Sequence, residues 1–327
     1  MMEKGSLVIS LDFELTWGAI DSWKPDGYGK TNILQVREVV NRLAALFEKY
    51  DVKATFATVG FVMLHDVEDI KQHTPALIPT YDNEGLRPYG KYLDYVAHQD
   101  SHLFFAPELV EMLKKISNVE VGTHTFGHFY CWEPGQTIAQ FDADMAMAQK
   151  VGDEQGLKLE SIVFPRNQVS DEYLEASAKH GIKTYRGNAK KYFDHTTNRW
   201  KELFNKVSRL LDAYTNWGGN TSIPYSEIDR NAKPMNVPAS RMLRPYTRKL
   251  RWLEGLRLRR IKKEMQYAAK HNELYHLWWH PHNFGANMDE NFVFLEDVLK
   301  CYKECHAKYG MESMTMKDFY YKLLNNN

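Results

Sequence analysis

Only three cysteines occur in 327 residues, Cys131, Cys301 and Cys305. So sparse and odd a set excludes a disulfide framework. Cys301 and Cys305, on one face of an expected helix, read as packed thiols rather than a redox pair. Excess charge of either sign is missing as well: 42 Lys and Arg balance 42 Asp and Glu, which removes any global attraction to nucleic acid or to an anionic membrane. No apolar run reaches the roughly 18 residues that span a bilayer. The opening MMEKGSLVISLDF has neither the apolar region nor the cleavage site of a secretory signal, so the expected location is cytoplasmic. Internal repeats and low-complexity tracts are also absent, which argues against a repeat array.

What is present is an alternation of short β-type runs with helical patterns, the mark of βα units around a parallel sheet or barrel. Strands are expected at Leu7–Leu11, Lys53–Gly60, Val119–His124, Ser161–Pro165 and Ile182–Arg186, and a late one opens ELYHLWWHPHNFG (Glu273–Gly285). Helices are expected near Ile33–Tyr50, Pro107–Ile116, Thr137–Gln155, Asp171–His180 and Asn291–Tyr309. Domain organisation reads as one barrel over residues 1–327, interrupted by an insertion at 61–105 and an irregular, Asn-, Gly- and Pro-rich segment at 192–245. The insertion suits an ordered loop over a site. A basic helix, Thr247–His271, follows the irregular segment. It is either the solvated outer face of a barrel helix or a docking surface for anionic lipid or a phosphate-bearing substrate.

In a parallel α/β barrel, the loops after the strands gather at one rim, and catalytic groups collect there. The informative residues fall at such places. Strand one closes with SLDFE, giving Asp12 and Glu14 on one face, because alternate strand residues share a face. Strand three closes with HTFGH, which sets His124 and His128 four apart; on a helical turn both imidazoles would meet one ion, with a carboxylate from another strand as third ligand and a position open for water. FPRNQ places Arg166 at the end of strand four, and WWHPH places His280 and His282 at the end of the late strand. Arg186 in TYRGN reads either as a substrate contact or as a loop ion pair, and Cys131 either as a fourth ligand or as a buried thiol. Tyr89, Tyr130 and Trp132 suit stacking on sugar faces.

SLDFE, HTFGH, FPRNQ and LWWHPH, in that order, resemble motifs of the polysaccharide deacetylases, the carbohydrate esterases that include chitin and peptidoglycan deacetylases. HTFGH matches the family's His-Ser/Thr-x-x-His motif in full. The resemblance implies a distorted (β/α) barrel of about seven parallel strands. It also implies a divalent ion, zinc for preference with other first-row ions open, and hydrolysis of an N-acyl group, most simply acetyl, on an amino sugar. Carried over, it makes Asp12 the catalytic base, Glu14, His124 and His128 the metal ligands, Arg166 the partner that orients Asp12, and His280 the general acid. Two places depart from the family pattern: Asp12-Phe13-Glu14 replaces an adjacent acidic pair, and Arg166 follows its proline. The expected substrate is a nucleotide- or lipid-linked precursor of a surface polysaccharide, with peripheral membrane contact through 247–263. The rival readings are a glycosidase on the same type of barrel and a catalytically silent carbohydrate-binding barrel.

Overall fold

The computed structural model describes residues 4–21, 25–188 and 219–325. The stretch 192–218 of the expected irregular segment lies outside these residues. The strands are β1 (Ser6–Phe13), β2 (Ala54–Thr58), β3 (Val119–Thr123), β4 (Ser161–Ile162), β5 (Thr184–Tyr185), β6 (Met235–Asn236), β7 (Arg241–Met242), β8 (Leu274–Trp279) and β9 (Glu312–Met314). Every pairing between them is parallel, in the order β6-β5-β4-β3-β2-β1-β8-β7, with β9 added beside β1.

β6 and β7 are two halves of one extended segment, and that segment closes the round. Its first half donates to β5 through Met235 N to Lys183 O and Val237 N to Tyr185 O. Its second half turns to β8 through Ser240 N to His276 O and Leu243 N to Trp278 O. Counted this way the curled sheet is a distorted barrel of seven staves, as expected, with β9 an added short strand.

The helices around it are α1 (Val36–Lys49), α2 (Val67–Gln72), α3 (Lys91–Val96), α4 (Pro107–Lys114), α5 (Ile138–Glu154), α6 (Asp171–Lys179), α7 (Glu254–His271), α8 (Met288–Tyr309) and α9 (Met316–Asn325). Alternation decides what faces them. Leu7, Ile9, Leu11 and Phe13 of β1, with Tyr275, Leu277 and Trp279 of β8, join the large outer core that includes Val40, Leu43, Leu295 and Leu299. The opposite parity points into the lumen, where Val8, Ala57, Val163 and Leu274 meet Phe319 and Leu323 of α9. This C-terminal helix, absent from the sequence reading, plugs the lower end. Its first N–H groups are satisfied by the barrel itself: Met316 N donates to Thr55 Oγ1 at 2.9 Å and Lys317 N to Glu120 Oε2 at 3.1 Å. Above that apolar layer the same inward parity, 10 and 12 on β1 and 276, 278 and 280 along β8, carries polar and aromatic groups toward the rim.

Candidate metal centre

Glu14 follows β1 directly and is buried. Its Oε2 lies 3.3 Å from His124 Nε2 and 3.1 Å from His128 Nε2. These three ligand atoms lie within 4.8 Å of one another. The other oxygen, Oε1, lies 3.4 Å from His280 Nε2. Of the SLDFE pair it is Glu14, not Asp12, that the fold sets against the two imidazoles.

The histidines do not sit on a helical turn. They flank a tight bend after β3 in which Thr125 and His128 take left-handed backbone angles, φ +64° and +57°. The strain in a β-branched residue is offset locally, since Phe129 N donates to Thr125 Oγ1 at 2.7 Å. The bend is clamped from outside by Asp144 of α5, whose oxygens accept Phe126 N at 2.7 Å and Gly127 N at 2.9 Å. α5 is registered by a capping box in which Thr137 and Gln140 exchange hydrogen bonds. Asp144 was not singled out from the sequence, although a readable signal existed: a carboxylate among the buried positions Phe141, Met145, Ala148 and Val151 of an amphipathic helix.

The donor set fits a metal ion on protonation grounds alone. His124 Nδ1 lies 2.7 Å from the Val163 carbonyl, which can only accept, so Nδ1 carries the proton. In a neutral ring Nε2 is then a lone pair aimed at a carboxylate oxygen. Buried acceptors facing one another repel unless a cation lies between them. One carboxylate and two imidazoles suit zinc or another first-row divalent ion, with a position left for water. Burial would raise the Glu14 carboxyl, but the charge of His280, then the adjoining imidazoles of His124 and His128, hold it well below the usual carboxylate range. Burial also depresses His128, against the pull of Glu14. Gly18 leaves room for the carboxylate: a Cβ there would come within 2.0 Å of Glu14 Cδ.

Asp12 sits beside this cluster and is held by a different arginine from the one expected. Arg186, directly after β5, grips it with both ends of its fork, Nη1 to Oδ1 at 2.6 Å and Nη2 to Oδ2 at 2.7 Å, and is itself buried. Arg166 instead turns outward onto Asp21 at 2.8 Å and Glu133 at 3.2 Å and lies over the Tyr130 ring. The reason is backbone: Arg166 and Asn167 both adopt left-handed angles, φ +53° and +52°. This turn reverses the side chains, so Asn167 rather than Arg166 reaches inward, its Oδ1 accepting Arg186 Nη2 at 3.0 Å.

Arg186 is fixed from two further sides. It lies 4.2 Å over the Trp278 ring, and its Nη1 donates to Ser10 Oγ at 3.2 Å. Ser10 in turn lies 2.9 Å from His276 Nε2, whose Nδ1 faces the Val237 carbonyl at 3.0 Å. That carbonyl puts the His276 proton on Nδ1, so Ser10 donates to Nε2 and its oxygen is free to accept from Arg186. Burial, then the Arg186 charge, pushes His276 down to about 3 and keeps it neutral. Burial would likewise raise Asp12, but Arg186, then His280, more than offset it and hold the carboxyl below its ordinary value.

His280 Nε2 stands 3.7 Å from Asp12 Oδ2, and its side chain keeps 22% of its surface open. His282 is buried, its ring stacked on His280 with centroids 4.9 Å apart, and burial pushes it down to about 3. Of the two, His280 faces both carboxylates. Cys131 lies buried beside Phe129 and Phe141, outside the ligand cluster. Tyr89 and Tyr130 are buried too, which leaves Trp132, 45% exposed, as the open aromatic among the three expected to stack on sugars.

Asp144 carries a prediction. Burial pushes its carboxyl up to about 7, against the lowering from the two N–H groups. The folded protein therefore holds this proton more tightly than the unfolded chain, and stability falls as pH rises from roughly 4 to 7. Asp144→Asn should flatten that slope in a denaturation series. The amide also turns a donor toward one of the two N–H groups, so zinc affinity should fall by about 10- to 100-fold, as when groups that support metal ligands are lost. Unchanged zinc affinity by chelator competition would remove Asp144 from this role.

Residues 25–185 match the polysaccharide deacetylase family model. No curated protein sequence matches the chain. Among solved structures, a Mycobacterium smegmatis chain named for polysaccharide deacetylases superposes with TM-score 0.59 at 10% identity, covering 100% of this chain and 93% of that one. A 4-alpha-glucanotransferase from Thermococcus litoralis gives 0.51 at 11%, covering 98% and 40%. A GH57-type branching enzyme from Pyrococcus horikoshii gives 0.51 at 13%, covering 96% and 70%. Likeness at this identity establishes the fold alone. Since the barrel is common to differently named enzymes, the reaction is read from the site.

Proposed function

We propose, from the match of residues 25–185 to the polysaccharide deacetylase family model and the site beside it, that this chain is a metal-dependent hydrolase. On this reading it removes an N-acyl group, acetyl in the simplest case, from an amino sugar carried on a nucleotide or lipid precursor of a surface polysaccharide. The observation that carries the reading is the meeting of Glu14, His124 and His128 beside an arginine-held Asp12 and a part-open His280.

Glu14, His124 and His128 would hold the ion. When bound, a divalent ion polarises the acyl oxygen and lowers the pKa of water toward about 7. Asp12, kept ionised by Arg186, takes a proton from the attacking water. Water oxygen adds to the acyl carbon, the carbon–nitrogen bond breaks, and His280 supplies the proton that lets nitrogen leave as an amine. The products are a carboxylate and a free amino sugar. Trp132 supports a sugar contact at the rim, and the insertion at 61–105, which follows β2 onto that rim, is the element we assign to substrate choice. Three buried free thiols support a reducing, cytoplasmic setting. Among the described residues no helix is long and apolar enough to cross a membrane.

The test is zinc content together with acid release from a panel of N-acetylated and N-formylated amino sugars and their nucleotide-linked forms. Acid release should cease on chelation and return with zinc. Chelator-insensitive cleavage of a glycosidic bond would overturn the reading in favour of a glycosidase.

A further inference from the structure

A chain with no net charge concentrates eight Lys and Arg against one Glu between Thr247 and Lys263. The structure sorts these charges by direction. Arg257 and Arg260 are buried and turned inward, where Arg257 binds Glu254 and Arg260 binds Glu264 at 3.0 Å. Glu254 and Glu264 are the acidic residues of α7, so its outward cations are left without acid from their own helix. Arg248, Lys249, Arg251, Arg259 and Lys263 are exposed. Among them stand two apolar side chains with no core to cover, Trp252 at 73% and Leu256 at 47% exposure. Trp252, Leu256, Arg259 and Lys263 follow one another at spacings of four, three and four, which is a single helical stripe.

Topology fixes where this stripe lies. The segment enters from the C-terminal end of β7, the end at which the strands present the metal centre, and α7 then runs back to the start of β8. Arg248 Nε donates to Asn287 Oδ1 at 3.0 Å, and Tyr246 N to Asn291 Oδ1 at 2.6 Å. These contacts pin the head of the stripe to the connection that follows His280 and His282. A tryptophan and a leucine ringed by cations that pair with no acid among the described residues, beside the mouth of a site, match the chemistry of an anionic bilayer surface: an indole for the interface and cations for phosphate headgroups.

We propose that the stripe from Arg248 to Lys263 docks the barrel rim onto an anionic lipid membrane. Docking sets the mouth of the site beside the bilayer, because the head of the stripe is at the rim, which favours the lipid-linked class of precursor over the nucleotide-linked one. Only that choice of substrate rests on the deacetylase reading; docking itself is measured without turnover.

The experiment is co-sedimentation of the full chain with two kinds of vesicle, pure phosphatidylcholine and phosphatidylcholine with about one-third phosphatidylglycerol. The protein should pellet with the anionic vesicles alone, and raised salt should release it. Trp252→Ser with Leu256→Ser, and separately Arg251→Gln with Arg259→Gln and Lys263→Gln, should each weaken partitioning by about tenfold or more while the melting temperature holds. These residues lie outside the site, so acid release from a soluble N-acetylated sugar should be unchanged. No pelleting with anionic vesicles, equal pelleting with neutral ones, variants that pellet like the parent, or tight binding of polyuridylate in place of vesicles would each overturn the proposal. If docking fails while acid release persists, the membrane inference falls and the hydrolase reading stands.

Discussion

His124→Ala should leave the purified protein without zinc and reduce turnover by on the order of a thousandfold or more. The size follows from what goes with the ring. Glu14 and His128 alone hold an ion poorly, because three protein ligands are the ordinary requirement of a catalytic site. Losing the ion removes several kcal/mol of charge stabilisation, each 1.36 kcal/mol being about tenfold in rate. The same substitution orphans the buried Val163 carbonyl that now accepts from Nδ1, at about 1–3 kcal/mol of stability. Elemental analysis, thermal melting and acid-release assays separate the two effects. Zinc retained at one ion per chain together with full turnover would remove His124 from the ligand set and end the assignment of the catalytic ion to Glu14, His124 and His128.

Arg186→Ala should be nearly as damaging, and by another route. Removing one partner of a buried, bidentate pair leaves an uncompensated carboxylate, at about 3–5 kcal/mol. Asp12 loses the charge that chiefly opposes its burial, so its pKa rises. A base that works ionised is lost as pH falls through its pKa, so the acid limb of kcat/KM should move to higher pH. Stability is affected with the same sign: a depressed native pKa stabilises above the unfolded value of about 3.9 and is lost below it, and this contribution disappears with Arg186. Arg186→Lys keeps a charge but not the fork and should recover only part of the activity. Arg166→Ala makes the comparison decisive. Its ion pairs to Asp21 and Glu133 are part-exposed, so the stability change should stay within about 1 kcal/mol and the acid limb should not move. If Arg166→Ala shifts that limb and Arg186→Ala does not, the structural reassignment is wrong.

How the site could be read in advance differs residue by residue. Strand alternation is local, and it put Asp12 and Glu14 on one side of β1 before any contact was known, while His280 and His282 were placed by their position just after an apolar strand. His124 and His128 were found from spacing, though the bend that brings them together is not the helical turn their spacing suggested. The tail helix α9 was missed because its apolar face closes the bottom of a lumen that forms only when β1, β2 and β8 have assembled. The stretch 192–218, part of the irregular segment read from composition, lies outside the described residues.

By itself, the sequence determined the βα alternation, the polar strand ends and the pair of imidazoles, because these depend on periods of a few residues and on side-chain chemistry. Only the tertiary structure decided which arginine serves Asp12, since the chosen partner lies 174 residues away and the nearer candidate is turned outward by two left-handed residues in succession. It likewise decided that Asp144 clamps the histidine bend and that Ser10 and His276 brace Arg186. Such pairings are selected by where the barrel wall closes and by the demand that each buried charge or donor find a partner there, a condition that belongs to the closed wall and to no single segment.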